Sequence, residues 1–195
     1  RGGIAADGAV GAGQRGGVGP DGLLAYETVN EVVLSRPDGT RRRVIPGPLD
    51  SEPCGGRFAP SFSPNGKLIV TCWEDTLETH ELEESGHAPD AGSAPPLSRS
   101  LIIYDWRLAA PIFRVDAEAN NVGPARWAPG SEALTVVIGT ELLRVRLAGP
   151  TPGAGVIQSN ICGFAHDVSR DGKEIAVLTG EEGATGKGWM LDAAT

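Results

Sequence analysis

The sequence predicts an all-β chain of repeated antiparallel meanders, and three observations predict it. The first is a unit of strand, tight turn and strand at Ala59 to Val70: an aromatic on the first arm, Pro64-Asn65-Gly66 to reverse the chain, and apolar residues on the return. The second is recurrence of that unit at Gly19 to Tyr26, Arg126 to Val136 and Asp167 to Val177. The third is spacing. Pro20 to Pro64 is 44 residues and Trp127 to Val168 is 41; Phe62 to Trp127 is 65, which falls to 42 once the polar run Thr76 to Ser98 is set aside as an insertion. A strand-rich period in the low forties is that of β-propeller blades. Helical repeats of similar length need apolar residues three and four apart, and no window shows that. The expectation is four four-stranded antiparallel blades of a β-propeller, an unclosed fragment of a larger one of roughly six to eight blades.

Composition fits this class. The 195 residues are 40% hydrophobic and 22% charged, with 28 Gly and 15 Pro, as expected when many turns separate short strands. No run reaches membrane-spanning length. The net charge of −8 argues against nucleic acid, since phosphate binding needs a basic face, and favours a basic partner or cations.

Arg1 to Gly17 is a Gly/Ala-rich lead-in or the end of a preceding blade. It contains Gly11-Ala12-Gly13-Gln14-Arg15-Gly16, which satisfies the spacing of a dinucleotide-binding turn. The next residues, Gly17-Val18-Gly19-Pro20-Asp21-Gly22, cannot be the helix whose N-terminus such a turn needs. The partial propeller then spans 18–195. The first blade, 18–48, carries strands at Leu23 to Thr28, Glu31 to Ser35 and Arg41 to Pro46, with Pro37-Asp38-Gly39-Thr40 as a turn and the inner strand just before Pro20. Arg41-Arg42-Arg43 is either an outer edge charged against pairing or a binding patch. The second blade covers 57–116 around the insertion at 76–98, the third 123–159, and the fourth 163–195, incomplete.

Arg99 to Arg107 followed by Pro111 to Val115 resembles the third and fourth strands of a WD40-type blade, with Tyr104-Asp105 where that family often has Trp-Asp. Ser63-Pro64-Asn65-Gly66-Lys67 and Ser169-Arg170-Asp171-Gly172-Lys173 are similar to the Ser-Pro-Asp-Gly-Lys turns of TolB-like (PD40) propellers. Trp189 to Thr195 again looks like a third strand entering its turn. The third blade departs from the pattern with Pro129-Gly130-Ser131, and the fourth stops at Thr195 without an outer strand. The chain is therefore expected to be a piece of something longer, with exposed edges and marginal stability by itself.

Blade geometry sorts the loops into faces. Loops between second and third strands share a face with those joining consecutive blades, and the hairpin turns lie opposite. The insertion then shares a face with Gly47 to Arg57, Asp116 to Gly123 and Gly180 to Gly188. That face would be acidic: Glu74, Asp75, Glu78, Glu81, Glu83, Glu84, Asp116, Glu118, Glu181 and Glu182 are its candidate partner-binding residues together with His166, and Asp50, Glu52 and Asp90 lie beside them. Such a field steers a basic peptide or collects divalent cations. The bland alternative is a solvated, disordered insertion.

Catalytic and metal signals are weak. His80 and His87 are seven apart, with Glu81 beside the first, and miss His-Glu-x-x-His. His166 either faces a ligand or is a satisfied strand histidine. No Gly-x-Ser-x-Gly occurs, and Gly183-Ala184-Thr185-Gly186-Lys187-Gly188 reads as a hairpin loop rather than a phosphate loop. An active site in an axial channel would have His166, Asp167 and Arg126 to draw on. No metal and no cofactor are expected. Cys54, Cys72 and Cys162 lack metal spacing. A hairpin turning at Ser63 to Lys67 sets Cys72 opposite Arg57 or Phe58, which leaves Cys54 about 10 Å away, so no Cys54–Cys72 disulfide is expected unless the intervening loop folds back.

Resemblance to TolB implies a non-catalytic scaffold, extracytoplasmic or periplasmic, on which a protein or peptide docks. The alternative is the gating propeller of a prolyl-oligopeptidase-type (S9) serine peptidase whose catalytic domain is absent from this chain.

Overall fold

A computed structural model describes residues 16–19, 22–28, 30–40, 42–49, 51–54, 59–75, 98–118, 122–179 and 187–192, without the side chains of 162–165, 178, 179 and 187. Sixteen strands run through them and none of the described residues is in an α-helix. They form four antiparallel sheets, and the fold is a β-propeller fold with each sheet a blade. The described residues fall in two compact units, one drawn from 1–62 and 66–120, the other from 63–65 and 121–195.

The first unit holds two sheets. One is β1 (Gly16–Val18), β2 (Leu24–Glu27), β3 (Glu31–Ser35) and β4 (Arg43–Pro46), in sequence order. The turn between β3 and β4 closes because Asp38 Oδ1 accepts the backbone N–H of Thr40 at 2.9 Å and its hydroxyl at 2.6 Å, while Gly39 takes φ +79. The other sheet is β5 (Ser51–Pro53), β6 (Ser61–Phe62), β7 (Leu68–Asp75), β8 (Ser98–Asp105) and β9 (Ala110–Glu118). The core of this unit is Ala25, Val32, Leu34, Ile45, Ile69, Trp73, Ile102 and Tyr104. Two glycines permit close approach here. A Cβ on Gly17 would strike the Pro60 carbonyl oxygen, and one on Gly47 would strike the Trp73 ring.

The inner edge of the second sheet differs from the expectation. β5 pairs β7 from Ser51↔Asp75 to Pro53↔Trp73, and β6 pairs it from Ser61↔Val70 to Phe62↔Ile69. Ser51–Pro53, expected in a loop, is thus a strand, because β7 is long enough to pair two short segments in turn. Between Pro53 and Ser61 the chain spends eight residues where β7 advances three, so the two segments pair β7 on different registers. Cys54 therefore arrives opposite Cys72, not Arg57 or Phe58. Its N–H donates to the Cys72 carbonyl at 2.9 Å, the two Cα atoms are 5.2 Å apart, and the thiols form a disulfide. The expected separation of about 10 Å assumed continuous pairing on one register, and the split edge corrects it.

The second unit holds β10 (Arg126–Trp127), β11 (Ala133–Ile138), β12 (Glu141–Arg146) and β13 (Gly153–Ser159) in one sheet, and β14 (Ile161–Val168), β15 (Glu174–Thr179) and β16 (Lys187–Asp192) in the other. Val137, Leu142, Ile161, Ile175 and Val177 are its core, with Ile157, Val168 and Leu191 packed on them. In the β14–β15 turn the Ser169 hydroxyl bonds Asp171 at 2.7 Å and accepts the Glu174 N–H at 2.9 Å, and Gly172 takes φ +73. The β10–β11 turn puts Ser131 in the same left-handed position, φ +63, where the others use glycine.

Candidate functional site

In the first unit the far ends of β7, β8 and β9 gather Glu74, Asp75, Asp116 and Glu118. Register sets the rows: Glu52 lies opposite Glu74, which lies opposite Arg99, and Ser100 lies opposite Asp116. Arg99 grips one carboxylate oxygen of Glu74 with Nε at 3.0 Å and Nη2 at 2.7 Å, and the two side chains are only 12% and 21% exposed. Asp116 accepts the Ser100 hydroxyl at 2.7 Å and bonds the Arg114 guanidinium. Burial pushes the Asp116 carboxyl up, but the bonds from Arg114 and Ser100 and the Arg114 charge together outweigh it, so its pKa lies below the ordinary carboxylate value. Glu118 is exposed at the end of β9. Two arginines thus spend part of the negative charge that composition assigns to this end. Arg114 meets Asp116 two residues on along its own strand, a pairing legible in the sequence, whereas only the register brings Arg99 to Glu74. Glu78, Glu81, Glu83, Glu84, Glu181 and Glu182 lie outside the described residues, as do Asp50 and Asp90.

His166 belongs to the second unit, on β14, where it is 5% exposed. Its Nε2 is 3.0 Å from the Thr135 hydroxyl of β11, and that hydroxyl donates to the Arg126 carbonyl at 3.5 Å. The direction of the bond between Nε2 and the Thr135 hydroxyl follows the imidazole tautomer. Arg126 Nε lies 3.4 Å from the His166 carbonyl and 3.7 Å from Asp167 Oδ1. The structure therefore brings Arg126, Thr135, His166 and Asp167 together, with the imidazole tied into the packing between two sheets. His166 also lines an apolar cleft of about 380 Å³ with Asp167, Ala176, Val177, Trp189 and Met190. Trp189 and Met190 leave 52% and 59% of their surface exposed. Sequence reasoning missed both as site residues, because an aromatic in a third strand reads first as core. Among the described residues, no group of three or more His, Cys, Asp or Glu side chains could hold a metal ion.

No family model matches the chain, and no curated protein matches it. Solved structures do. TolB from Acinetobacter baumannii is 19% identical with a TM-score of 0.57, over 93% of this chain and 41% of that one. A β-propeller domain from Myceliophteria thermophila is 14% identical with a TM-score of 0.59, over 87% and 50%. Pyrococcus horikoshii acylaminoacyl peptidase is 9% identical with a TM-score of 0.56, over 92% and 31%. The chain spans half or less of the length of each of these structures. The likeness establishes the fold, that of TolB-like and WD40-like propellers. Among the described residues no helix is long and apolar enough to cross a membrane.

Proposed function

We propose that the chain is a non-catalytic propeller scaffold that binds a protein or peptide. The observation that carries this reading is the apolar cleft lined by His166, Asp167 and Val177 among others, with the largely exposed Trp189 and Met190 also among its lining residues. That mixture suits a side-chain anchor of a partner, since exposed apolar surface is costly unless covered. The net charge of −8 favours a basic partner through long-range steering. The Cys54–Cys72 disulfide supports an oxidising, extracytoplasmic compartment.

The test is to display random peptides to the full chain and titrate those retained. Peptides with an apolar anchor flanked by Lys or Arg should bind, with affinity falling as salt rises and lost in Trp189→Ala while the circular dichroism stays unchanged. Binding indifferent to both salt and Trp189→Ala would sink the reading. The likeness to acylaminoacyl peptidase favours a second reading, a propeller gating a prolyl-oligopeptidase-type peptidase. A hydrolase domain in the same gene product would decide for it.

A further inference from the structure

The second unit carries a basic cleft that the peptide reading does not use. Arg144 and Arg146 sit two apart on β12, so their side chains leave the same face of the sheet, roughly 7 Å apart at the Cα atoms. Their cross-strand neighbours on β13 are Gly155 and Gly153. Those glycines do not serve the backbone. Neither has a positive φ, and a Cβ on either would meet nothing within 4 Å. The space above them is part of a cleft of about 630 Å³ lined by Arg144, Arg146, Thr151, Gly153, Gly155 and Ile157 among others.

Three features bear on what this cleft could hold. No carboxylate lines it, although Asp and Glu outnumber Lys and Arg by 25 to 17 in the chain. Among the described residues neither guanidinium makes an ion pair or hydrogen bond; Arg36, Arg43 and Arg170 share this, whereas Arg42, Arg99, Arg114 and Arg126 each meet a carboxylate. Arg144 is moreover half-buried; it also borders a neighbouring cleft with Lys173, Glu174 and Asp192, but bonds none of them. A guanidinium with no bonded partner leaves its planar N–H fork open, and an arriving oxyanion takes it in two parallel bonds.

We infer that the cleft over Gly153 and Gly155 is an oxyanion site in which Arg144 and Arg146 hold a carboxylate or phosphate group of a small ligand. Arg144 supplies the sheltered contact and Arg146 closes from the rim, while the missing side chains of β13 leave room for the body of the ligand. The site is independent of the peptide-binding reading and stands or falls separately.

Calorimetric titration of the full chain with inorganic phosphate and with succinate, at an ionic strength held constant with chloride, tests this. Saturable one-to-one binding of at least one of the two is expected, and which one binds identifies the oxyanion class. Arg144→Gln should weaken it by about tenfold or more. Gly155→Leu, which adds a side chain into empty space on an extended strand and keeps both arginines, should block it without lowering the thermal midpoint. Linear, unsaturable heats for both anions would overturn the inference. So would binding that survives in both variants.

Discussion

Asp116 holds its low pKa through contacts that run along and across strands. Arg114 is two residues back on the same face of β9, and Ser100 is directly opposite on β8. A carboxyl whose folded pKa is depressed contributes stability that is present above its unfolded value, about 3.9, and is lost as pH falls through the folded value. Acid should therefore weaken this end of the sheet below about pH 4, not near neutrality. Ser100→Ala removes one of the bonds that favour the charged form, so the Asp116 carboxyl should titrate closer to the ordinary carboxylate range, as read from its side-chain carbon resonance against pH. A titration unchanged by the substitution would show that Ser100 contributes nothing. At this scale the sequence was informative where a residue bonds its own neighbourhood. Asp38 and Asp171 close their turns in the manner that Pro-Asp-Gly-Thr and Ser-Arg-Asp-Gly imply. It was silent on Arg99 and Glu74, 25 residues apart, because their meeting depends on register.

Elements were legible in proportion to their periodicity. β7, β8 and β11 announce themselves as apolar runs bounded by turn residues, and the repeated turn fixes which strands pair. β5 and β6 were not legible as two strands of one edge. Each is three residues or fewer, and nothing in the sequence between them marks the change of register. The disulfide sits at that break. It closes a loop with a sequence separation of 18, and the chain-entropy relation assigns such a loop about 3 kcal/mol at 25 °C. Replacing both cysteines by serine should lower the stability of the first unit by that order in urea, and a reducing agent should do the same to the unaltered chain while leaving the variant untouched. Equal stability with and without reductant would mean that the bond constrains nothing, and the support it lends to an oxidising compartment would go with it.

On the scale of the molecule, four meanders built from consecutive strands give nearly all pairing to neighbours in sequence, which is why a spacing in the low forties revealed the fold at 9–19% identity to the structures that share it. The candidate site was less legible for a physical reason. The proposed binding surfaces are built from side chains on different strands and from space left by absent ones, Trp189, Arg144 and Gly155 among them, and none of these has a local pattern. The same architecture ranks the strands by stability. β11 is buried at all six positions and β7 and β8 at most of theirs, while β9 alternates exposure and β13 is exposed over its first four residues. Amides of a strand flanked on both sides and covered on both faces open only with the unit, whereas an outer strand can leave alone. Native-state hydrogen exchange should therefore rank β11 above β13 in the second unit and β7 and β8 above β9 in the first, each by about tenfold or more in protection. Because β13 forms the floor of the oxyanion cleft, its fast exchange should slow when a bound anion is present and the β11 amides should not respond. Protection of β13 equal to that of β11 in the free chain would contradict the ranking, since an outer strand would then be opening only with the whole unit.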